Sequence, residues 1–419
     1  MLPRRHFCFL VLICLSAASY SVPSDAGEAI DPAQATREAG SDTLWYDLRL
    51  LSVEGRGWND TKAFFDRLPA KAEGVVPASV WGLSRQTAGL CVRFVTDATT
   101  IHARWTLTSS QLAMPHMPAT GVSGLDLYAK HEGQWRWLAI GWPKDQSNRT
   151  PLVSGLPAGE REFLLYLPLY NGVASVDLGL PEGTRLAQAD PYGPGSRKPI
   201  VFYGTSITQG GCASRPGMVH TAILGRRLNY PVINLGFSGS GRMEPQMATL
   251  FAELDPAVFV LDCLPNMSAP EVKERVEPFV ATLRAARPAT PILLVEDRSY
   301  TDNFLVTSKR QRNADSRAAL KQAFENLKQK GTKQLYYLGG EELLGDDGEG
   351  TVDSSHPTDL GFQRQAEAFE KALRPILEGN AVTAAPGEFR NSSRDRSSPE
   401  PVRGTVDNAK PDRPSGVRP

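Results

Sequence analysis

Residues 199–210 read PIVFYGTSITQG, and this stretch decides how the second half of the chain folds. The apolar run at 200–203 ends at Gly204, polar residues follow, and a helical pattern then resumes. This order predicts a buried strand that ends in a tight turn and leads into a helix. Ser206 would lie at the carboxyl end of that strand, where open α/β sheets bind their ligands. The same serine could instead only cap the helix.

The rest of the second half repeats this alternation of strand and helix. We predict strands at 200–203, 231–235, 257–263, 291–296 and 334–338, and helices at 218–229, 244–254, 270–286, 309–329 and 358–377. The strands are apolar almost throughout, as at 258–261, which indicates burial on both faces. This order predicts a parallel sheet with helices on both sides.

The first half, residues 44–186, has a different pattern of short β-prone runs separated by Gly, Pro and Asp. We predict strands at 90–95, 100–107, 125–129, 135–140, 162–167 and 174–178. In the first two of these runs alternate residues are apolar, as expected of half-buried strands. Short strands with turns between them predict a β-sandwich or jelly roll. Residues 27–43 and the Pro- and Gly-rich residues 187–198 are predicted to be linkers.

The two ends of the chain have compositions of their own. Two arginines precede an unbroken apolar run at 7–15 and small residues thereafter, a pattern that predicts a signal peptide within residues 1–26 and hence export. The run is too short for a membrane anchor, so we expect no stable membrane span in the mature chain. Residues 380–419 are rich in Pro, Ser, Arg and Asp and are predicted to be disordered.

Composition also narrows the function. The 419 residues carry a formal net charge of zero and no basic stripe, which argues against nucleic acid as a partner.

Beyond the predicted signal peptide only Cys91, Cys212 and Cys263 remain, and their spacing matches no zinc site. Cys212 and Cys263 both lie at or beyond the end of a predicted strand and could form a disulfide. We find no H-E-x-x-H sequence, no Walker lysine and no G-x-G-x-x-G turn, so we predict neither a metal nor a cofactor.

Four segments, taken in order, resemble the four blocks of the SGNH (GDSL-type) hydrolases. They read GTSIT at 204–208, NLGFSGSG at 234–241, LPNM at 264–267 and DSSHP at 353–357. The first differs from GDSL, and the third has Pro-Asn where many members have Gly-Asn-Asp. Both departures resemble a branch that is similar to carbohydrate esterases, and GLDLY at 124–128 resembles the GxDLY element of its N-terminal domain. The resemblance implies a flavodoxin-like α/β/α hydrolase domain at 199–379.

The resemblance also implies roles for individual residues. Ser206 would be the nucleophile, His356 the base and Asp353 the acid that orients it. The N–H groups of Ser206 and Gly239 and the side chain of Asn266 would form the oxyanion hole, which stabilises charge that appears only in the transition state. An aspartate three residues before a histidine can reach one imidazole nitrogen while the other nitrogen faces the serine.

Each of these roles has a competing interpretation. Gly236 could take the place of Gly239, and Asn266 could be an ordinary turn residue. Asp359 could be the acid instead of Asp353, although it could also cap the last helix, for which Thr358 is the better candidate. His220, the other histidine of this half, falls within a predicted helix, so a structural role is expected for it.

The predicted function is that of an exported serine esterase that removes acetyl or similarly small acyl groups from carbohydrate. All seven tryptophans precede residue 143, and most are expected in the core of the β-domain, although such rings also stack on sugars. A lipid or aryl esterase is the alternative. Residues 199–378 show no long apolar segment beyond the strands and helix faces, which disfavours a lipase. A catalytically silent carbohydrate-binding protein is the remote alternative.

Overall fold

The computed structural model describes residues 27–193 and 197–379. The predicted signal peptide at 1–26 and the predicted disordered tail at 380–419 lie outside these residues, so both stay predictions. Among the residues that the structure describes, no helix combines the length and apolar character needed to cross a membrane.

The first half consists of short strands with two small helices. Its elements are β1 (Thr36–Arg37), β2 (Thr43–Asp47), β3 (Val53–Glu54), α1 (Ala78–Ser84), β4 (Cys91–Thr96), β5 (Thr100–Leu107), α2 (Ala119–Val122), β6 (Leu125–His131), β7 (Gln134–Gly141), β8 (Ser147–Ser154), β9 (Arg161–Tyr166), β10 (Val173–Pro181) and β11 (Leu186–Gln188). One antiparallel sheet has the order β1-β2-β10-β5-β8, and the other has the order β11-β4-β9-β6-β7 with β3 beside β4. Their facing sides share one apolar core, which includes Phe94, Trp105 and Phe163, and this confirms the predicted β-sandwich.

Two strands show where the period-2 pattern does and does not predict burial. In β5 every second residue is buried, as its sequence predicts. In β4 the opposite face is covered as well, because Cys91 packs against the second half of the chain and Arg93 lies 3.8 Å from the centre of the Tyr192 ring. The expectation of a half-buried β4 is therefore wrong, since the sequence of one strand does not show what packs on its second face.

The second half alternates strand and helix. Its elements are β12 (Ile200–Gly204), α3 (Ser206–Gln209), α4 (His220–Leu228), β13 (Val232–Gly236), α5 (Pro245–Phe251), β14 (Val258–Asp262), α6 (Ala269–Ala286), β15 (Ile292–Val295), α7 (Thr307–Gln329), β16 (Leu335–Leu338) and α8 (Asp359–Leu377). The five strands are all parallel in the order β13-β12-β14-β15-β16. This is the flavodoxin-like order, and it confirms the predicted α/β fold with helices on both faces.

The side chains of β12 alternate between the two faces of this sheet. Phe202 packs with Phe369 of α8 on one face, and Tyr203 packs with Phe251 of α5 on the other. Because the strands are buried on both sides, no site can form on a face of the sheet, and open α/β sheets bind their ligands at the carboxyl ends of the strands.

The two halves pack closely against each other. The segment 55–90, which connects β3 to β4, contacts both halves. Trp58, Leu68 and Val80 join one core of the α/β sheet, whereas Phe65 and Leu90 pack in the core of the sandwich. The buried guanidinium of Arg67 donates to the carbonyl groups of Asn234 and Gly236 at the end of β13. The carboxyl end of that strand is thus held by a residue of the first half.

Candidate active site

Ser206 lies in a tight turn between β12 and α3. A Cβ at Gly204 would lie 2.1 Å from Thr208 Oγ1, so only glycine fits at the end of the strand. The Thr205 hydroxyl accepts a hydrogen bond from the N–H of Ile207 at 3.3 Å, which caps the short helix. Ser206 is therefore the first residue of α3, where a backbone N–H has no acceptor within the helix. The side chain and the backbone N–H of Ser206 both lie at the carboxyl edge of the sheet, which is the position that the sequence predicts.

Ser206, His356 and Asp353 form a continuous chain of hydrogen bonds. Ser206 Oγ lies 2.7 Å from His356 Nε2, and His356 Nδ1 lies 2.8 Å from Asp353 Oδ2. Burial raises the pKa of Asp353, but hydrogen bonds from the backbone and ring of His356 outweigh it and lower that pKa overall. An ionised carboxylate can only accept, so Nδ1 carries the imidazole proton and Nε2 accepts from the serine hydroxyl. This arrangement can remove a proton from Ser206.

The alternative acid and the second histidine lie elsewhere. Asp359 binds the Ser214 backbone N–H at 3.0 Å and the Ser214 hydroxyl, and Thr358 caps α8 by accepting from Gly361. His220 is stacked on Phe369 with a ring separation of 5.3 Å, and burial lowers its pKa far below the usual imidazole range. Both residues therefore support the fold, as the sequence suggested for His220.

The two candidate glycines of the β13 loop differ in their surroundings. A Cβ at Gly236 would lie 2.1 Å from the backbone nitrogen of Gln209, so this glycine allows α3 to pack against β13. Gly239 has a φ of +66° and open space where a Cβ would point. Its N–H makes no hydrogen bond within the described part of the chain. The open position and the available N–H suit a donor to substrate, and they favour Gly239 over Gly236.

Asn266 lies at the end of the short 3₁₀ turn Leu264–Asn266 that follows β14. Its Nδ2 donates to the carbonyl oxygen of Ser240 at 2.7 Å. A side-chain amide has two N–H groups, so this bond fixes Asn266 against the loop that carries Gly239 and leaves one N–H for a ligand. Asn266 is thus more than an ordinary turn residue.

The β-sandwich adds groups to the site that the sequence did not indicate. The Tyr170 hydroxyl donates to the carbonyl oxygen of Ser206 at 3.0 Å. The His116 ring lies 6.0 Å from the His356 ring, centre to centre. No motif marks either residue, because the contact depends on how the two halves pack.

The GLDLY segment fixes the loop that follows the serine. Asp126 Oδ2 accepts from Arg215 at 2.9 Å and from the N–H of Gly217 at 2.7 Å, while Asp126 Oδ1 accepts from the indole of Trp137 at 2.9 Å. The Tyr128 hydroxyl is also bound by Arg215. This element therefore joins the β-sandwich to the loop between α3 and α4.

The cysteines near the site are free thiols. Cys212 and Cys263 are both buried and unpaired, so the possible disulfide between them is absent. Burial, with a smaller contribution from the charge of Asp353, raises the pKa of Cys212 to about 12, and such a thiol is a poor nucleophile at neutral pH. Within residues 27–193 and 197–379 we find no cluster of three metal-binding side chains.

A parallel sheet of this order with a serine, a histidine and an aspartate at its carboxyl edge defines an SGNH-type ester hydrolase. Comparison with protein families gives the same result. Residues 197–374 match the GDSL-like lipase/acylhydrolase family, and residues 43–186 match the GxDLY N-terminal domain of SGNH-type esterases. Comparison with curated proteins gave no match.

Solved structures resemble both halves together. A protein from Bacteroides ovatus described as a GDSL-like lipase is 34% identical, with a TM-score of 0.76 over 80% of this chain and 98% of that one. The salicylyl-acyltransferase SsfX3 of a tetracycline biosynthetic pathway is 20% identical, with a TM-score of 0.60 over 84% of this chain and 98% of that one. An active-site mutant of a family two carbohydrate esterase from Clostridium thermocellum is 16% identical, with a TM-score of 0.51 over 70% and 93%. The last two share the fold alone. The chain belongs to the GDSL-like lipase/acylhydrolase family.

Proposed function

We propose that the protein is an exported serine esterase that hydrolyses acetyl or similarly short acyl esters of carbohydrate through Ser206, His356 and Asp353. The observation that carries the proposal is the chain of hydrogen bonds from Ser206 Oγ to His356 at 2.7 Å and from His356 to Asp353 at 2.8 Å. Such a chain activates a serine for attack on an ester carbonyl. It also argues against a catalytically silent binding protein.

The reaction would proceed in two steps. In the first, Ser206 Oγ attacks the carbonyl carbon while His356 Nε2 takes its proton, and the resulting oxyanion accepts from the N–H groups of Ser206 and Gly239 and from Asn266. The tetrahedral intermediate collapses, the ester C–O bond breaks, and His356 gives the proton to the departing alcohol. In the second step water attacks the acyl-serine in the same way and releases the acid. Each donor of an oxyanion hole typically contributes roughly 10²–10³-fold to turnover.

Several features support a carbohydrate substrate. The fold is shared with a carbohydrate esterase, and the predicted signal peptide at 1–26 would bring the enzyme to extracellular polysaccharide. Trp137 and Trp142 are exposed on the β-sandwich, so their rings are available to stack on a sugar, whereas Trp45, Trp58 and Trp105 are buried. Export and the identity of the glycan stay part of the proposal.

One observation favours a lipid esterase as a second candidate. Phe304 and Leu305 are 71% and 76% exposed on a loop whose Thr301 N–H donates to the carbonyl oxygen of Ser354 at 3.1 Å, next to the histidine loop. No sequence pattern indicates these exposed side chains, because two apolar residues in a loop form no long segment. A short apolar patch of this kind could contact a longer acyl chain.

Acyl-chain length decides between the two candidates. We expect kcat/KM to fall from acetyl to butyryl to octanoyl esters of one alcohol, acetate to be released from an acetylated oligosaccharide, and Ser206→Ala to abolish all of these reactions. Full activity in Ser206→Ala would contradict the mechanism. A preference for octanoyl esters, with no acetate released from the oligosaccharide, would favour the lipid esterase.

A further inference from the structure

A tight turn of the β-sandwich lies beside the candidate catalytic histidine. Two reciprocal hydrogen bonds of 3.0 Å between the backbones of Met114 and Met117 close this turn, so that Pro115 and His116 form its tip. Met117 is buried and packs in the core between the two halves of the chain. The following helix α2 is anchored to the α/β half, because Thr120 Oγ1 donates to the carbonyl oxygen of Ser214 at 2.6 Å. His116 is therefore held in a fixed position relative to the serine turn.

The His116 side chain has no structural partner. It is exposed, and among the residues that the structure describes it makes no hydrogen bond or ion pair. Within the described ranges, the one ring that it contacts is that of His356, at 6.0 Å between centres and an angle of 54°. Both nitrogens of the imidazole are thus available to a ligand, and a neutral imidazole can donate one hydrogen bond and accept another.

The position of His116 indicates which part of the substrate its side chain would contact. In serine esterases the catalytic histidine returns its proton to the departing alcohol, so the space beside His356 is where the alcohol portion lies. The oxyanion donors, Gly239 and Asn266, come from the loops after β13 and β14 and face the carbonyl oxygen instead. A free imidazole beside His356 is therefore adjacent to the hydroxyl groups of the alcohol.

We propose that His116 is a specificity-determining residue that binds the alcohol portion of the ester, by hydrogen bonds to a hydroxyl group neighbouring the esterified one. This inference rests on the proposed function, because it assumes that Ser206 is acylated and that His356 protonates the departing alcohol. With this role, His116 would favour esters of polyhydroxylated alcohols, such as a sugar ring, over esters of alcohols with one hydroxyl. It also gives the β-sandwich a direct part in substrate selection.

The test compares esters that share the acetyl group and differ only in the alcohol. For the full-length protein we expect kcat/KM for an acetylated methyl glycoside to exceed kcat/KM for ethyl acetate. In His116→Ala this ratio should fall about tenfold, the effect of losing one or two hydrogen bonds to substrate. His116→Gln should recover part of the ratio, because its amide can also donate and accept. His131→Ala is the matched control, since His131 is an exposed histidine of the same sandwich at the end of β6, and it should leave the ratio unchanged.

The outcomes separate this inference from the proposed function. A wild-type enzyme that hydrolyses both esters without preference for the glycoside, or a His116→Ala enzyme with an unchanged ratio, would overturn the role of His116 and leave the serine mechanism intact. Mass spectrometry of the enzyme mixed with an aryl acetate reports the mechanism itself. If no acetyl group is found on Ser206, the proposed function fails, and the inference fails with it. Loss of folded enzyme lowers both kcat/KM values equally and leaves their ratio unchanged, and a circular dichroism melt of each variant checks that the fold is intact.

Discussion

At the scale of single residues, the chain offers two candidates for the acid of the proposed triad, Asp353 and Asp359, and the structure favours Asp353. Its Oδ1 accepts from the N–H groups of Ser355 at 3.1 Å and His356 at 2.7 Å, and its Oδ2 is bound by the His356 ring. The carboxylate is thus fixed by three donors within its own loop. Asp359 instead binds only Ser214 in the hydrogen bonds that the structure shows.

Replacing each aspartate by asparagine distinguishes the two. Asp353→Asn should lower kcat by roughly 10⁴-fold, because an amide cannot hold the imidazole in the tautomer that accepts the serine proton. Asp359→Asn should lower kcat less than about tenfold, since Asn can still accept from Ser214. The measurement is the kcat of each variant with an activated acetate ester at neutral pH. Equal losses in the two variants would contradict the assignment of the acid.

The lowered pKa of Asp353 also gives the sign of a pH effect. A carboxyl group whose pKa is lower in the folded state stabilises the protein above the unfolded pKa, and this contribution disappears as the pH falls through the folded value. The stability difference between wild type and Asp353→Asn should therefore be largest at neutral pH and should shrink on acidification below about pH 4. Urea unfolding of both proteins at several pH values measures it. A difference that grows on acidification would mean that the carboxyl group is not stabilised as an anion.

The sequence indicated some site residues and not others, for a physical reason. Ser206, Gly239, Asn266, Asp353 and His356 each lie in one of the four short segments that resemble the SGNH blocks. Tyr170 and His116 approach the site only because the β-sandwich packs on the loop between α3 and α4. No local pattern encodes a contact of that kind.

At the scale of elements, a buried ion pair stabilises the turn that carries Ser206. Asp262, the last residue of β14, is fully buried and is bound by both terminal nitrogens of Arg298. It also accepts from Thr208 Oγ1 in α3 at 3.0 Å, and Gln365 of α8 accepts from the same guanidinium. The short helix that begins with Ser206 is thus tied to β14 and α8.

Removing one member of this ion pair should lower the free energy of unfolding more than replacing both members. Arg298→Met leaves the Asp262 carboxylate buried and unpaired, so we expect a loss of about 3–5 kcal/mol in the free energy of unfolding. The double variant Asp262→Asn with Arg298→Met removes the uncompensated charge and should recover more than half of that loss. Lys198→Met, at the exposed pair with Asp255, should cost less than about 1 kcal/mol. Urea unfolding measures all three variants, and a double variant less stable than Arg298→Met would refute the argument.

The sequence predicted the helices and strands of the α/β half better than those of the sandwich. Each strand of the parallel sheet is a continuous apolar run, so its type and approximate limits can be read directly. The strand β8 was missed because it is polar and contains Pro151, which an edge strand tolerates, and β8 is at the edge of its sheet. The helix α1 was missed because its seven residues include Gly82 and show no complete helical repeat.

At the scale of the whole molecule, the two halves share their apolar cores. One core of the α/β sheet includes Trp58, Leu68 and Val80 from residues 55–90, and the other includes Met117 and Tyr166 from the sandwich. Two domains in sequence therefore do not mean two independent folding units. Composition and periodicity could not show this, because an apolar residue in a connecting segment does not reveal which half it packs against.

We therefore expect the α/β half to depend on the first half for its stability. A fragment that keeps residues 197–379 would expose the apolar surface that Trp58 and Leu68 cover, and would remove Arg67 from the carbonyl groups of Asn234 and Gly236. Each large buried side chain lost in this way removes about 1.5–3 kcal/mol of burial energy, so the loss exceeds the marginal stability of an ordinary domain. The fragment should be largely insoluble, and any soluble part should bind a hydrophobic dye and lack a cooperative thermal transition.

Truncation at the other end is the control for this last prediction. Deletion of residues 380–419, which the sequence predicts to be disordered, should leave the thermal midpoint and the kcat with an aryl acetate unchanged. Size-exclusion chromatography, dye binding and thermal unfolding of the two truncated proteins, compared with the full chain, measure the difference. A fragment of residues 197–379 that is monomeric, unfolds cooperatively and retains the full kcat would show that the α/β half folds alone. The shared cores would then hold the two halves together without being needed for the folding of the hydrolase half.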